Sequence, residues 1–249
     1  MGAGAFSVPW FKARAIDENV TDAHSWEAAA LAETGLVGFA LAAFVLLFPL
    51  ARLRSARKGS GAWPIAAVAL GGAAVYFVLH ASVDWLFRIP AVAIPGFVVL
   101  GALASGGDEN GGPVFGDRGQ RALLAVAALA ALAVAVPTYL ATAGVADAES
   151  NAATSTPAAL SDLDRAERLN PFAAEPLLVR ALVLKADGRP RAALAAAEEA
   201  TDRAPQSWTA WLLLADGRRL TGNAQGSRAA LARAAALNPR AIRQLGLSQ

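Results

Sequence analysis

The sequence predicts an all-α protein in which about four membrane-spanning helices precede a domain of helical repeats. Three observations predict this fold class. Only 17% of the 249 residues are charged, whereas soluble domains carry about 25%. Four long runs in the first half lack Asp, Glu, Lys and Arg. In the second half, prolines and glycines recur at a fixed spacing.

The four uncharged runs are each at least 18 residues long, which is about the length that a helix needs to cross a bilayer. They are Thr34–Ala51, Gly59–Val83, Ile89–Gly107 and Ala122–Ala146. The alternative is the core of a soluble α-domain, but buried soluble helices normally keep a polar face. The chain is thus predicted to divide into an extracytoplasmic loop (1–33), a transmembrane region (34–146) and a soluble tail (147–249).

The basic residues predict the orientation of the chain in the membrane. The turn after the first run holds Arg52, Arg54, Arg57 and Lys58. Because short loops rich in Lys and Arg stay in the cytoplasm, this turn should be cytoplasmic. With four crossings, residues 1–33 and everything after Ala146 then lie outside. We expect a multi-pass protein of the cytoplasmic (inner) membrane with its C-terminal domain outside.

The tail shows a repeat. Pro171, Pro205 and Pro239 are spaced 34 residues apart, as are Gly188 and Gly222. Thirty-four is the period of the tetratricopeptide repeat, a helix–turn–helix pair. About two and a half such repeats would occupy residues 152–249 and could bind a protein partner on their concave face. The alternative is an alanine-rich set of helical hairpins with accidental spacing.

Composition argues against several other functions. The chain has no cysteine and two histidines, so thiolate and multi-histidine metal sites are not expected. A net charge of +2 does not favour nucleic-acid binding. Phosphate-binding loops, dinucleotide fingerprints and serine-nucleophile elbows are missing from the sequence. We therefore predict no cofactor and no metal.

A polar segment directly before the first uncharged run holds a candidate catalytic site. Asp22 can cap a helix that begins here, which places His24 in its first turn. Histidine is a common general base. Glu27, three residues further on, lies within reach on the same helical face and could orient the imidazole. The alternative is a solvated histidine at the membrane surface.

The segment DAHSWEAAALAETGLVGF, residues 22–39, resembles the signature of the O-antigen ligase family of polytopic membrane glycosyltransferases. That signature is a His followed by Asn, Ser or Gln, then nine residues and G-x-x-G, matched here by His24, Ser25, Gly35 and Gly38. The two glycines would also offer a flat surface for close helix packing. GAGAF and the Arg14 of FKAR are similar to the family's outside loop before that histidine. The later segment HASVDWLFRIPAVAIPG resembles a stretch common in bacterial members with a tetratricopeptide tail. The resemblance covers about residues 2–105 and the tail architecture.

The resemblance implies a function. Family members transfer a glycan from an undecaprenyl diphosphate carrier to an acceptor on the outer face, or polymerise repeat units, without a nucleotide sugar or metal. His24 would activate the acceptor hydroxyl, and Arg14 would hold the carrier diphosphate. Arg88 is a second outside arginine, nominated from the predicted topology alone. A guanidinium suits a diphosphate because it donates two parallel hydrogen bonds.

The chain departs from the family pattern in having far fewer predicted membrane helices. We therefore expect it to correspond to the C-terminal portion of such an enzyme and to be incomplete alone. The alternative is a non-catalytic, membrane-anchored tetratricopeptide scaffold for protein interaction.

His80 and Asp84, four residues apart near the end of the second run, share a helical face. They form either a functional pair or a structural one.

Overall fold

The computed structural model describes residues 6–16, 20, 22–56, 63–105 and 118–247. This part of the chain is helical and contains no β-strand. A 3-10 helix, Trp85–Arg88, connects α3 to α4. The α-helices are α1 (Ser7–Ala13), α2 (Trp26–Ala56), α3 (Trp63–Ala81), α4 (Pro90–Ser105), α5 (Arg118–Asn151), α6 (Thr156–Leu169), α7 (Glu175–Ala186), α8 (Pro190–Arg203), α9 (Trp208–Leu220), α10 (Ala224–Leu237) and α11 (Pro239–Gln244).

The chain forms two compact units. The first comprises Met1–Trp10 and Glu18–Leu124, and the second comprises Phe11–Asp17 and Ala125–Gln249. The division falls inside α5, which is one continuous helix through the predicted domain boundary at residue 147. The helix continues because Ala, Glu and Asp follow the apolar run without a glycine or proline to end it.

The first unit is built from α2, α3 and α4, which pack against one another. Small residues allow the close contacts. A Cβ added to Gly71 of α3 would lie 2.5 Å from a methyl group of Leu53 in α2, and one added to Gly96 of α4 would lie 2.6 Å from the ring of Phe77. Both glycines therefore lie where neighbouring helices approach each other closely.

Two helices of the described residues are long and apolar enough to cross a membrane, over Trp26–Leu53 and Trp63–Ala81. They expose large apolar side chains, such as Leu36 (78% exposed) and Ile65 (78%). The third predicted span corresponds to a shorter apolar helix, Ala91–Ala104. The fourth lies in α5, where many side chains fall outside the described set. The count of four spans thus stays a prediction.

Helix α2 is interrupted at Gly35, whose backbone adopts φ 68° and ψ −166°. Only glycine adopts this conformation without steric strain. No atom of the described residues lies within 4 Å of a Cβ built there, and a Cβ on Gly38 would meet Thr34 of the same helix. Within the described part of the chain, Gly35 and Gly38 thus do not form the expected packing surface for another helix. Gly35 instead permits the kink.

In the second unit, the C-terminal half of α5 packs against α6 and α7. Ala141, Val145 and Ala148 share a buried cluster with Leu163 of α6 and Val179 of α7. Each helix from α6 to α11 then contacts the next one along the chain. The unit is therefore a sequential array of helices.

The boundaries of this array repeat every 34 residues. Helices α6, α8 and α10 begin at 156, 190 and 224, and they end at 169, 203 and 237. The alanines at the equivalent positions 166, 200 and 234 are each 0% exposed. Gly188 and Gly222 have positive φ angles of 70° and 86° at the turns that precede α8 and α10. The spacing in the sequence therefore corresponds to a spacing of structural elements.

Candidate functional site

The first polar cluster lies where α2 begins. Ser25, not Asp22, caps the helix, because the amide of Ala28 donates to Ser25 Oγ at 3.2 Å. The helix starts at Trp26, so His24 precedes its first turn. The predicted capping role of Asp22 is therefore wrong. Both Asp22 and Ser25 are acceptable caps, and sequence alone did not distinguish the two.

Glu27 connects the start of α2 to the segment that follows α3. Its two carboxylate oxygens accept hydrogen bonds from Ser25 Oγ and from Ser82 Oγ, both at 2.7 Å. The indole Nε1 of Trp26 donates to Ser82 Oγ at 3.0 Å. Glu27 thus accepts hydrogen bonds from two serines. It does not orient His24, although the sequence predicted that role. Its position in this network is that of a structural residue.

Arg88 forms the second polar cluster, also within the first unit. Its guanidinium pairs with Asp22 Oδ1 at 2.5 Å and with Glu33 Oε1 at 2.7 Å. These contacts join the 3-10 helix to the beginning of α2. The sequence identified Arg88 as a candidate but missed both carboxylates, since each is more than 50 residues away and no local pattern links them.

His24 is exposed and makes no hydrogen bond or ion pair within the described part of the chain. Its imidazole is accessible to a substrate, and neither ring nitrogen is committed to a neighbour there. Only two residues separate His24 from Glu27, yet the carboxylate is held elsewhere. A base at His24 would therefore act without a carboxylate partner from Glu27.

Arg14 belongs to the second unit, whereas His24, Glu27 and Arg88 belong to the first. Its side chain is buried, with 7% of the residue exposed. Nη2 donates to Asn238 Oδ1 at 3.1 Å, and the guanidinium lies 5.5 Å from the ring centroid of Phe11. In this structure the Arg14 guanidinium is thus enclosed by protein, and its expected role in holding a diphosphate stays a prediction.

His80 and Asp84 come close, as their spacing predicts. Nε2 of His80 lies 3.8 Å from Oδ2 of Asp84, which is too long for a hydrogen bond. Tyr76, one turn earlier in α3, stacks on the imidazole with 5.4 Å between ring centroids. The pair therefore shares one face at the end of α3. Among the described residues, no three His, Asp or Glu side chains gather at one point to hold a metal ion.

An apolar groove of about 560 Å³ runs between the helices of the first unit. Trp26, Phe77, Phe87 and Phe97 contribute aromatic surface to it, and Glu33 and Arg88 supply its charged groups. Carbon surface dominates the lining, so the groove suits a hydrocarbon chain, while the arginine offers a contact for an anionic head group. The groove has no local sequence pattern, because α2, α3, α4 and the 3-10 helix all contribute to its lining.

No family model matches the chain, and no curated protein matches it either. The resemblance to O-antigen ligases and the tetratricopeptide assignment both remain predictions.

Proposed function

We propose that the chain is part of a membrane glycosyltransferase of the O-antigen ligase type. It would transfer a glycan from an undecaprenyl diphosphate carrier to an acceptor on the outer face of the inner membrane. In this proposal, the uncharged runs supply four spans. The array of helices with a 34-residue period is a tetratricopeptide-like tail outside the membrane. Two membrane-capable helices and the repeated helix boundaries support that architecture.

One observation carries the proposal, namely the apolar groove with Arg88 on its lining. A polyprenyl diphosphate has a long hydrocarbon chain and a charged head, and it needs a site that combines both chemistries. Arg88 is already paired with Asp22 and Glu33. A diphosphate would have to replace at least one of these carboxylates, so the arginine would exchange one anionic partner for another.

The chemistry assigns one step to His24. The imidazole accepts the proton of the acceptor hydroxyl, and the hydroxyl oxygen attacks the anomeric carbon of the donor sugar. The bond from that carbon to the diphosphate oxygen breaks, and undecaprenyl diphosphate leaves with the electron pair. Arg88 stabilises the departing negative charge. His24 is exposed and lies two residues before Trp26, which lines the groove, and this supports the assignment.

Native mass spectrometry of the full chain in lipid nanodiscs tests the groove. We expect undecaprenyl diphosphate to bind more tightly than undecaprenol, which has the same hydrocarbon chain without the charge. Arg88→Met should remove that difference. Glu33→Gln should increase it, because the carboxylate no longer competes for Arg88. Equal binding of the two lipids to wild type, or no gain with Glu33→Gln, would refute the role of Arg88.

The second candidate function is a membrane-anchored scaffold without catalysis. The observation that favours it is the helical array itself, since stacked helical repeats generally present binding surfaces to other proteins. The two candidates predict different results for the lipid experiment, because a scaffold has no reason to prefer the diphosphate.

A further inference from the structure

A groove of about 330 Å³ lies between α10 and α11 in the second unit. Leu231, Ile242 and Leu247 supply apolar surface, and Arg228 and Arg243 lie along the lining. Both arginines are exposed, and neither has an ion-pair partner among the described residues. The groove therefore combines an apolar floor with two available cations.

The equivalent helix in the preceding repeat indicates which kind of structural element packs on such a surface. Moving back by one period of 34 residues, Arg228 and Leu231 of α10 correspond to Leu194 and Ala197 of α8. Helix α9 packs on that face of α8. A Cβ added to Gly217 of α9 would lie 3.1 Å from the Cα of Leu194.

Other contacts agree with this packing. Ala197 shares a buried cluster with Leu214 and Ala215 of α9. In α8 this face is thus covered by a helix, while in α10 the equivalent positions line the groove. The shape of the groove is therefore suited to a helix with small and apolar side chains on one face.

Charge indicates which helix would fit. From residue 217 to residue 249 the sequence contains six arginines and no Asp or Glu. Arg228 replaces the apolar residue found at the equivalent position in α8, so the groove is more basic than the α8 face that α9 covers. A second copy of the same groove would bring the arginines of both copies together, which like-charge repulsion disfavours.

We propose that the groove between α10 and α11 binds an amphipathic helix of a partner protein, with small and apolar residues on one face and carboxylates along its edges. The apolar face lies against Leu231 and Leu247, and the carboxylates pair with Arg228 and Arg243. This interface does not depend on glycan transfer and would exist in an enzyme or in a scaffold.

Fluorescence anisotropy on the full chain in zwitterionic nanodiscs tests the proposal. The probe is a labelled peptide with the α9 sequence, Trp208–Leu220, carrying Arg218→Glu and Arg219→Glu. The matched control peptide keeps both arginines. We expect the acidic peptide to bind about tenfold more tightly than the control peptide, since two favourable charge contacts replace two repulsive ones. Empty nanodiscs correct for lipid binding.

Variants of the chain locate the binding surface. Arg228→Glu with Arg243→Glu should weaken binding of the acidic peptide by about tenfold. Arg233→Glu is the matched control, because Arg233 is exposed on α10 but does not line the groove. Ala235→Trp should also weaken binding, because the indole fills the groove without changing the charge.

Three results would overturn the proposal. The first is equal affinity for the acidic and control peptides. The second is a loss with Arg233→Glu as large as that of the double variant. The third is a dimer in sedimentation that Ala235→Trp dissociates, since the occupant would then be a second copy of the chain.

Discussion

Replacing Leu163 by alanine tests whether α5 and the first repeat helices share one core. Leu163 is 0% exposed in α6 and clusters with Val145 of α5 and with Val179 and Val183 of α7. The change removes three side-chain carbons from the centre of this cluster. The lost transfer free energy alone is about 2.4 kcal/mol at about 0.8 kcal/mol per carbon. With the cavity term, we expect a total of about 3 kcal/mol.

Hydrogen exchange with mass spectrometry on the full chain measures this loss locally. Since about 1.4 kcal/mol corresponds to a tenfold change in an equilibrium constant, the most protected amides of α6 and α7 should exchange about a hundredfold faster. The matched control is Leu182→Ala, because Leu182 in α7 is 49% exposed. Its effect should stay below about 1 kcal/mol.

If Leu163→Ala accelerated exchange no more than Leu182→Ala, the burial of Leu163 would be refuted. If it accelerated exchange in α6 and α7 but left the C-terminal half of α5 unchanged, the shared cluster with Val145 would be refuted instead.

Two further predictions concern the tail. Gly188→Ala should destabilise it by about 1 kcal/mol, because φ is 70° there and a side chain is strained, even though no described atom lies within 4 Å of the new Cβ. Gly188→Asn should cost less in the same exchange assay, since Asn tolerates this conformation better. Burial raises the pKa of Asp216, but hydrogen bonds and charge attraction from Lys185 and Arg219 lower it more, so the net shift is downward. A carboxylate with a lowered pKa stabilises the fold above its unfolded pKa of about 3.9 and loses that contribution as the pH falls through the folded value. Exchange protection of α9, corrected for intrinsic rates, should therefore fall more steeply below about pH 4 in wild type than in Asp216→Asn.

The sequence predicted helix identity well and helix ends less well. The uncharged run Thr34–Ala51 lies within α2, which begins eight residues earlier at Trp26 and continues to Ala56. The run marks only the segment without charge, whereas helix-forming residues such as Ala, Leu and Glu extend the helix beyond it. Similarly, the fourth run lies within α5 because no breaker follows it.

The repeat was predictable because each unit carries its own local pattern. A proline or glycine at a turn and a small residue in a helix recur at a fixed spacing, and α6, α8 and α10 follow that spacing. The groove between α10 and α11 was not predictable, since the local pattern repeats but the equivalent face of α8 is covered by α9.

The candidate site was predictable only in part. The sequence selected Arg88 and His24 by residue type and position, but the partners of Arg88 and Glu27 are distant in the chain. Hydrophobic periodicity assigns a residue to a face, but it does not say which carboxylate will meet which cation. Arg14 shows the same limit, since its contact with Asn238 spans 224 positions.

The central claim is that His24 serves as the base for glycan transfer, and the amount of surface glycan in a strain that carries His24→Ala tests it most directly. The side chain is exposed and has no hydrogen-bond partner within the described residues, so the variant should fold and accumulate normally. An immunoblot confirms the level, and Lys12→Ala, at another exposed residue, is the control. Loss of one general base lowers the rate by about 10²–10⁴-fold, so we predict that surface glycan is nearly absent with His24→Ala and normal with Lys12→Ala. Unchanged surface glycan with His24→Ala would contradict the account and leave the scaffold function.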